Sequence, residues 1–183
     1  MHIISIDPSI KTIGITFWND SRPVLSGVIN MSKHWEKDGS VAWICELSCF
    51  INYILDKYKV LGYTPEETML IIEVPGFYYD DTNKKTIQSL RETCGLIQGL
   101  FFNFCNHIKR VTPSQWKGRG SKQVTMYNMG KIYPHLKHLS WRLDKDGRVH
   151  ETITKDIKKI GDIRDSQGIG HDTISKMKMA GEL

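Results

Sequence analysis

Two acids close apolar runs in this sequence: Asp7 follows Ile3-Ile4-Ser5-Ile6, and Glu73 follows Leu70-Ile71-Ile72. A carboxylate beside a run that must be buried needs a partner, because an unpaired charge in apolar surroundings is expensive. A salt bridge to Lys or Arg, or a cap on a turn, satisfies either acid taken alone. Two of them, each ending a core strand of a basic chain, favour a divalent cation. Hard cations such as Mg²⁺ take oxygen ligands, keep several waters and use few protein carboxylates together with substrate phosphate. Two ions roughly 3.5–4 Å apart can activate an attacking water and stabilise a leaving oxygen; one carboxylate then bridges both. A third acid is expected from the C-terminal region, where Asp162, Asp165 and Asp172 compete. Asp172 lies in Gly170-His171-Asp172-Thr173, the expected start of a last helix, where capping is its alternative role.

The chain has 183 residues, a net charge of +5 and a pI of about 9.0. That balance biases it towards phosphate-rich partners, since clustered Lys and Arg release counterions from nucleic acid. The stretch Gln115-Trp116-Lys117-Gly118-Arg119-Gly120-Ser121-Lys122 joins positive charge to glycines. It lacks the GxxxxGK[ST] order of a nucleotide-binding loop, so no nucleotide cofactor is expected. Lys117, Arg119 and Lys122 are candidate phosphate contacts, with a solvated loop as the plainer alternative. Phe77, Tyr78 and Tyr79 follow Pro75-Gly76. Aromatics in such a loop can stack on unpaired bases at about 1–3 kcal/mol each, although one or two of these are expected to pack inside. Lys155, Lys158 and Lys159 read as a solvated face.

Cys45, Cys49, Cys94 and Cys105 form no CxxC pair, which favours reduced thiols. Cys45 and Cys49, four apart, are expected to be buried as small apolar residues. His135 and His138 are expected at the surface. No stretch approaches the ~20 apolar residues of a membrane span, and no leader precedes the first strand pattern; a cytoplasmic protein is expected.

Residues 2–7, 12–18 and 24–31 read as three strands in an antiparallel meander with short turns. Residues 39–61 change to helical spacing through Ile44, Leu47, Ile51, Ile54 and Leu55. Residues 68–74 form a nearly all-apolar run, consistent with a central strand covered on both faces. A second helix is expected over 84–105, a strand over 107–111 and a helix over 121–133. Residues 137–154 suggest a hairpin with an Asp-Gly turn. The segment 155–170 is polar and poorly periodic, and a last helix is expected over 172–181. The order implies one α/β domain with a mixed sheet.

In this order the segments IISIDPSIKTIGITFW, MLIIEVPGF, RVTPSQWKG and GHDTISKMKMAGEL resemble the RuvC-type Holliday-junction resolvases of the RNase H-like superfamily. The last segment is similar to the His-Asp and Asp-Asp versions found in phage and organellar relatives. The resemblance implies a single RNase H-like domain with a five-stranded mixed sheet flanked by helices. It places Asp7, Glu73 and Asp172 on the metal-binding catalytic positions, with His171 beside them. The family's second acid of the last helix, three residues after the first, would be Ser175; a serine can hold a metal-bound water but cannot replace a negative charge. Asp165 is the alternative source of that charge. Two Mg²⁺ or Mn²⁺ ions, branched DNA with a four-way junction, a homodimer with the long second helix near its interface, and an aromatic wedge among Phe77–Tyr79 are also implied. A junction-binding protein without activity and a ribonuclease of RNA–DNA hybrids remain alternatives on the same fold. An actin-like ATPase needs two such domains, more than 183 residues supply.

Overall fold

The computed structural model describes residues 1–33, 35–58, 64–76, 84–118 and 120–183. Strands β1 (His2–Asp7), β2 (Thr12–Asn19) and β3 (Arg22–Asn30) form the expected meander. Helices α1 (Trp35–Asp38) and α2 (Ser40–Lys57) follow, then β4 (Thr68–Glu73), α3 (Lys84–Phe101) and β5 (His107–Val111). A short α4 (Pro113–Trp116) and α5 (Lys122–Ile132) precede a hairpin of β6 (His138–Leu143) and β7 (Val149–Ile153). The long α6 (Ile157–Met179) closes the order.

The sheet has seven strands in the order β5-β4-β1-β2-β3-β6-β7, not five. The two extra strands are the hairpin over 138–153, whose β6 pairs in parallel with β3. Its turn uses Asp144, whose Oδ1 accepts from the N–H groups of Asp146 and Arg148, and Gly147 at φ 76°. Among the described residues no helix is long and apolar enough to cross a membrane.

Strand alternation sorts side chains between two faces. Ile4, Ile6, Leu70 and Ile72 meet Leu47, Phe50 and Ile51 of α2 and Ile97 and Phe101 of α3. Ile3, Trp18 and Ile71 meet Trp116, Ile169 and Ile174 on the other face. The second face is only partly apolar. Ser5, Thr16 and Ser26 stand opposite one another across β1, β2 and β3, and α6 lies on them. Ser5 Oγ donates to the Ser166 carbonyl at 2.7 Å and accepts from Trp18 Nε1 at 2.7 Å. Thr16 Oγ1 meets Ser166 Oγ at 2.8 Å, and Gln167 Nε2 donates to Ser26 Oγ at 3.1 Å. Arg164 donates to Gln167 Oε1 and to the Met129 carbonyl at the end of α5.

This explains why 155–170 looked irregular. The helix starts at 157, capped by Asp156, and residues 161–170 are all buried. Such a helix shows no apolar stripe, because both of its sides are covered and its sheet-facing side is polar. Two smaller expectations also change. Cys45 and Cys49 are exposed on the outer side of α2, while Cys94 and Cys105 are buried. His138 is half-buried, and burial together with Arg164 brings its pKa down to about 4.

Gly14 sets how closely α6 approaches: a Cβ there would stand 2.2 Å from the Asp162 carbonyl oxygen. Gly14→Ala must therefore lift the helix. It is expected to cost about 1–3 kcal/mol of unfolding free energy, the usual range for overpacking, read by denaturant titration.

Candidate active site

Asp7 and Glu73 end neighbouring parallel strands. Ile6 pairs with Ile72, so the two acids stand side by side one residue later. Both continue the alternation of Ile3-Ser5 and Ile71 and so project on the α6 face. That edge, at the carboxyl ends of central strands, is where open α/β sheets bind ligands.

α6 brings two more acids to the same place, Asp162 and Asp165. Both contribute to the field that raises the Asp7 pKa. Asp162 Oδ2 accepts from Thr12 Oγ1 at 2.9 Å. Lys122, the first residue of α5, puts its ammonium 2.9 Å from Asp162 Oδ1 and 3.0 Å from Asp165 Oδ2. Its stem lies over Gly161, where a Cβ would stand 2.8 Å from Lys122 Cε. Burial works against this ammonium, but the two carboxylates more than offset that and hold its pKa above the ordinary value. Glu73 Oε2 accepts from Trp116 Nε1 at 2.5 Å.

Burial is the first cause that raises Asp7 well above the usual carboxylate range; Glu73, Asp165 and Asp162 add repulsion and Lys122 opposes it. Burial also raises Glu73, against the Trp116 hydrogen bond and Lys117. Asp165 is raised by burial too, with Lys122 pulling the other way.

Four carboxylates from β1, β4 and α6 suit a hard cation in kind. One buried oxygen, Asp165 Oδ1, has no hydrogen-bond partner among the described residues. An unsatisfied buried carboxylate oxygen is costly unless a ligand meets it. Among the described residues no three His, Cys, Asp or Glu side chains are placed to hold an ion as they stand; Lys122 supplies the positive charge between Asp162 and Asp165. These residues fit a divalent cation by donor chemistry.

Asp172 is not part of this group. It lies seven residues beyond Asp165 in α6, about 10 Å along the axis at ~1.5 Å per residue, and its Oδ2 pairs with Lys176 at 2.7 Å. Ser175 donates to the His171 carbonyl at 2.7 Å, an ordinary back-bond within the helix. The three-residue acid spacing that the resemblance requires is met by Asp162 and Asp165 instead. The missed signal was that spacing itself, which sets two side chains on one helix face, behind an Asp156 cap. Lys117 lies near Glu73 and Asp165, with its ammonium 5.3 Å from the Trp116 ring centroid. Lys122 is held by the acids rather than free for phosphate. Phe77, Tyr78, Tyr79 and Arg119 fall outside the described residues.

The raised carboxyls give the ion-free protein a pH signature. A carboxyl with a higher pKa folded than unfolded keeps its proton in the native state after the unfolded chain has lost it. Stability then falls as pH rises from the ordinary carboxylate range through the raised value. In chelator, the wild type should be less stable at pH 7.5 than near pH 5. Asp7→Asn should raise Tm at pH 7.5 by at least a few degrees, the equivalent of about 1 kcal/mol or more, and flatten the pH dependence in differential scanning calorimetry.

No protein-family model matches the sequence, and no curated protein matches it. Solved structures do. RuvC of T. thermophilus in complex with Holliday junction substrate superposes with a TM-score of 0.62 at 14% identity, covering 98% of this chain and 96% of that one. A Thermus thermophilus RuvC structure gives 0.60 at 13% identity, covering 98% and 97%. At such identity the likeness establishes architecture: this chain has the fold of these RuvC structures over nearly its whole length.

Proposed function

We propose that this protein is a divalent-metal-dependent endonuclease that resolves four-way DNA junctions. The observation that carries the reading is the convergence of Asp7, Glu73, Asp162 and Asp165 from β1, β4 and α6, with Asp165 Oδ1 lacking a partner among the described residues. The shared fold with RuvC, solved in complex with Holliday junction substrate, names the substrate class. The net charge of +5 suits a polyanion.

In this reading Asp7, Glu73, Asp162 and Asp165 would hold Mg²⁺ or Mn²⁺, with Asp7, between Glu73 and the α6 acids, as the carboxylate best placed to be shared. Bound there, the metal would supply Lewis-acid activation of water and stabilisation of the departing 3′ oxygen. The Trp116 indole fixes the Glu73 carboxylate and Thr12 fixes that of Asp162, so few groups need to reorient during reaction. The rigid strand ends and the buried helix keep the acids in register. An inactive junction binder was suggested by Ser175; with Asp162 and Asp165 as the acid pair, that motive lapses.

Paired nicks in matching strands call for two sites related by a twofold axis. An apolar stripe along α3 from Leu90 to Phe104, which an interface could also use, packs against the chain's own core. The outward flank of α3 carries Gly95 and Gly99, where an added Cβ meets nothing, and the adjoining Phe102 is 74% exposed. A homodimer through this flank fits an open, partly apolar surface. Gly99→Arg should shift the protein from dimer to monomer in sedimentation velocity, and unpair the nicks.

Asp7→Asn and Asp165→Asn should each lower junction cleavage roughly a thousandfold, equivalent to the several kcal/mol that a Lewis-acid ion contributes, while junction binding persists. Asp172→Asn should stay within about tenfold of wild type. Cleavage of a mobile junction, mapped at nucleotide resolution beside duplex and RNA–DNA hybrid controls, checks all three. Full activity of Asp165→Asn, or a preference for the hybrid, would sink the assignment.

A further inference from the structure

His171 and Asp172 stand about two helical turns beyond Asp165. With Trp116, Lys117, Asn128 and Met129 they line a cavity of about 190 Å³. This is below the roughly 300–1,000 Å³ of sites for whole small molecules, so it suits one planar base rather than a whole nucleotide. Trp116 and Met129 provide apolar wall. Two of the polar groups, Asp172 and His171, are held by neighbours but not used up. Asp172 Oδ2 is occupied by Lys176, which leaves Oδ1 as an acceptor. His171 Nδ1 lies 2.8 Å from the Tyr133 hydroxyl. Burial keeps that phenol protonated, with its pKa up at about 12. That bond engages Nδ1, with donor and acceptor roles set by the imidazole tautomer, and leaves Nε2 as the ring's second polar atom. Asn128 offers both a donor and an acceptor.

A phosphodiester brings only acceptors: Lys117, near Glu73 and Asp165, suits it, whereas the free oxygen of Asp172 in the cavity lining calls for a donor. A base edge brings donors and acceptors together, between apolar walls, as enzymes that hold an extruded base do. The cavity also adjoins the acid cluster through one residue: Trp116 forms its wall and donates to Glu73. A base seated there would hold the neighbouring phosphodiester close to the carboxylates.

We infer that this cavity takes one unstacked nucleobase of the cleaved strand, and that Asn128 and Asp172 select a base carrying an exocyclic amine. Asparagine pairs with the amine and ring nitrogen of adenine, and a carboxylate accepts from the amine of cytosine. Thymine has no such amine and would set a carbonyl against Asp172. The inference rests on the nuclease reading above and makes it sequence-selective.

The test uses four-way junctions that differ only at the positions flanking the cut, with each base and an abasic residue in turn. Cleavage is measured with Mn²⁺, and binding is measured separately with Ca²⁺. At one position an amino-bearing base should be cut about tenfold or more faster than thymine, with the abasic junction as slow as thymine. Asn128→Ala and Asp172→Ala should each reduce that ratio to within about twofold, with junction binding retained. Even cutting across all bases, or an unchanged preference in both variants, overturns the inference and leaves the nuclease reading standing. So does a response to a methylphosphonate at the adjoining linkage with none to the abasic residue. A protein that neither binds nor cuts any junction overturns the nuclease reading, and this inference with it.

Discussion

The seating of α6 on the sheet is the constraint on which the rest depends. Two of the four acids reach the strand ends only because the helix lies against β2 at Gly14, with the Asp162 carbonyl where a side chain would otherwise be. The row Ser5, Thr16 and Ser26 makes that approach possible: small side chains leave room, and hydroxyls bond to Ser166 and Gln167. Each such bond contributes about 1 kcal/mol net, while an abandoned buried partner costs ~1–3 kcal/mol. A completed polar seat is therefore tolerated, whereas a displaced one leaves several unsatisfied groups at once. The register of α6 is specified by hydrogen bonds with direction, which apolar packing would not supply.

That seating creates an electrostatic problem at its end. Asp7, Glu73, Asp162 and Asp165 bring four carboxyl groups together, against the ammonium of Lys122 between two of them and that of Lys117 nearby. Burial and mutual repulsion raise three of the acids. A cluster selected only for stability would have apolar residues here, since buried charges seldom stabilise a fold. Local conflict of this kind in an otherwise consistent fold marks a place where binding supplies what the chain does not.

Much of this was legible in the sequence. Short apolar runs bounded by turn residues marked β1 to β5 nearly residue for residue, and those leading into Asp7 and Glu73 marked both strand acids. The hairpin over 138–153 was visible as a hairpin. Its docking against β3 was not, because a parallel pairing more than a hundred residues apart leaves no local mark. The first half of α6 was hidden for a different reason. Helical periodicity announces a helix with one wet face, and residues 161–170 have none. Cys45 and Cys49 misled in the opposite sense: their spacing placed them on one helix face, and nothing local said which face pointed outward.

Asp172 was placed beside the strand acids by resemblance, while the half of α6 that carries Asp162 and Asp165 was hidden. Seven residues turn about 700°, within roughly 20° of two full turns, so Asp165 and Asp172 lie on almost the same stripe of α6. Periodicity along the helix cannot separate them. What does is the position of the sheet beneath: Gly14 fixes the level of Asp162 beside Asp7, and Asp172 then falls about 10 Å further on. The cavity lined by His171 and Asp172 meets the acids at one shared residue. Trp116 lies between the two regions, with its indole N–H on Glu73 and its ring edge against Gly168, where any Cβ would stand 2.6 Å away. A shift of that indole must move Glu73, so whatever occupies the cavity beside Trp116 is mechanically joined to that carboxylate.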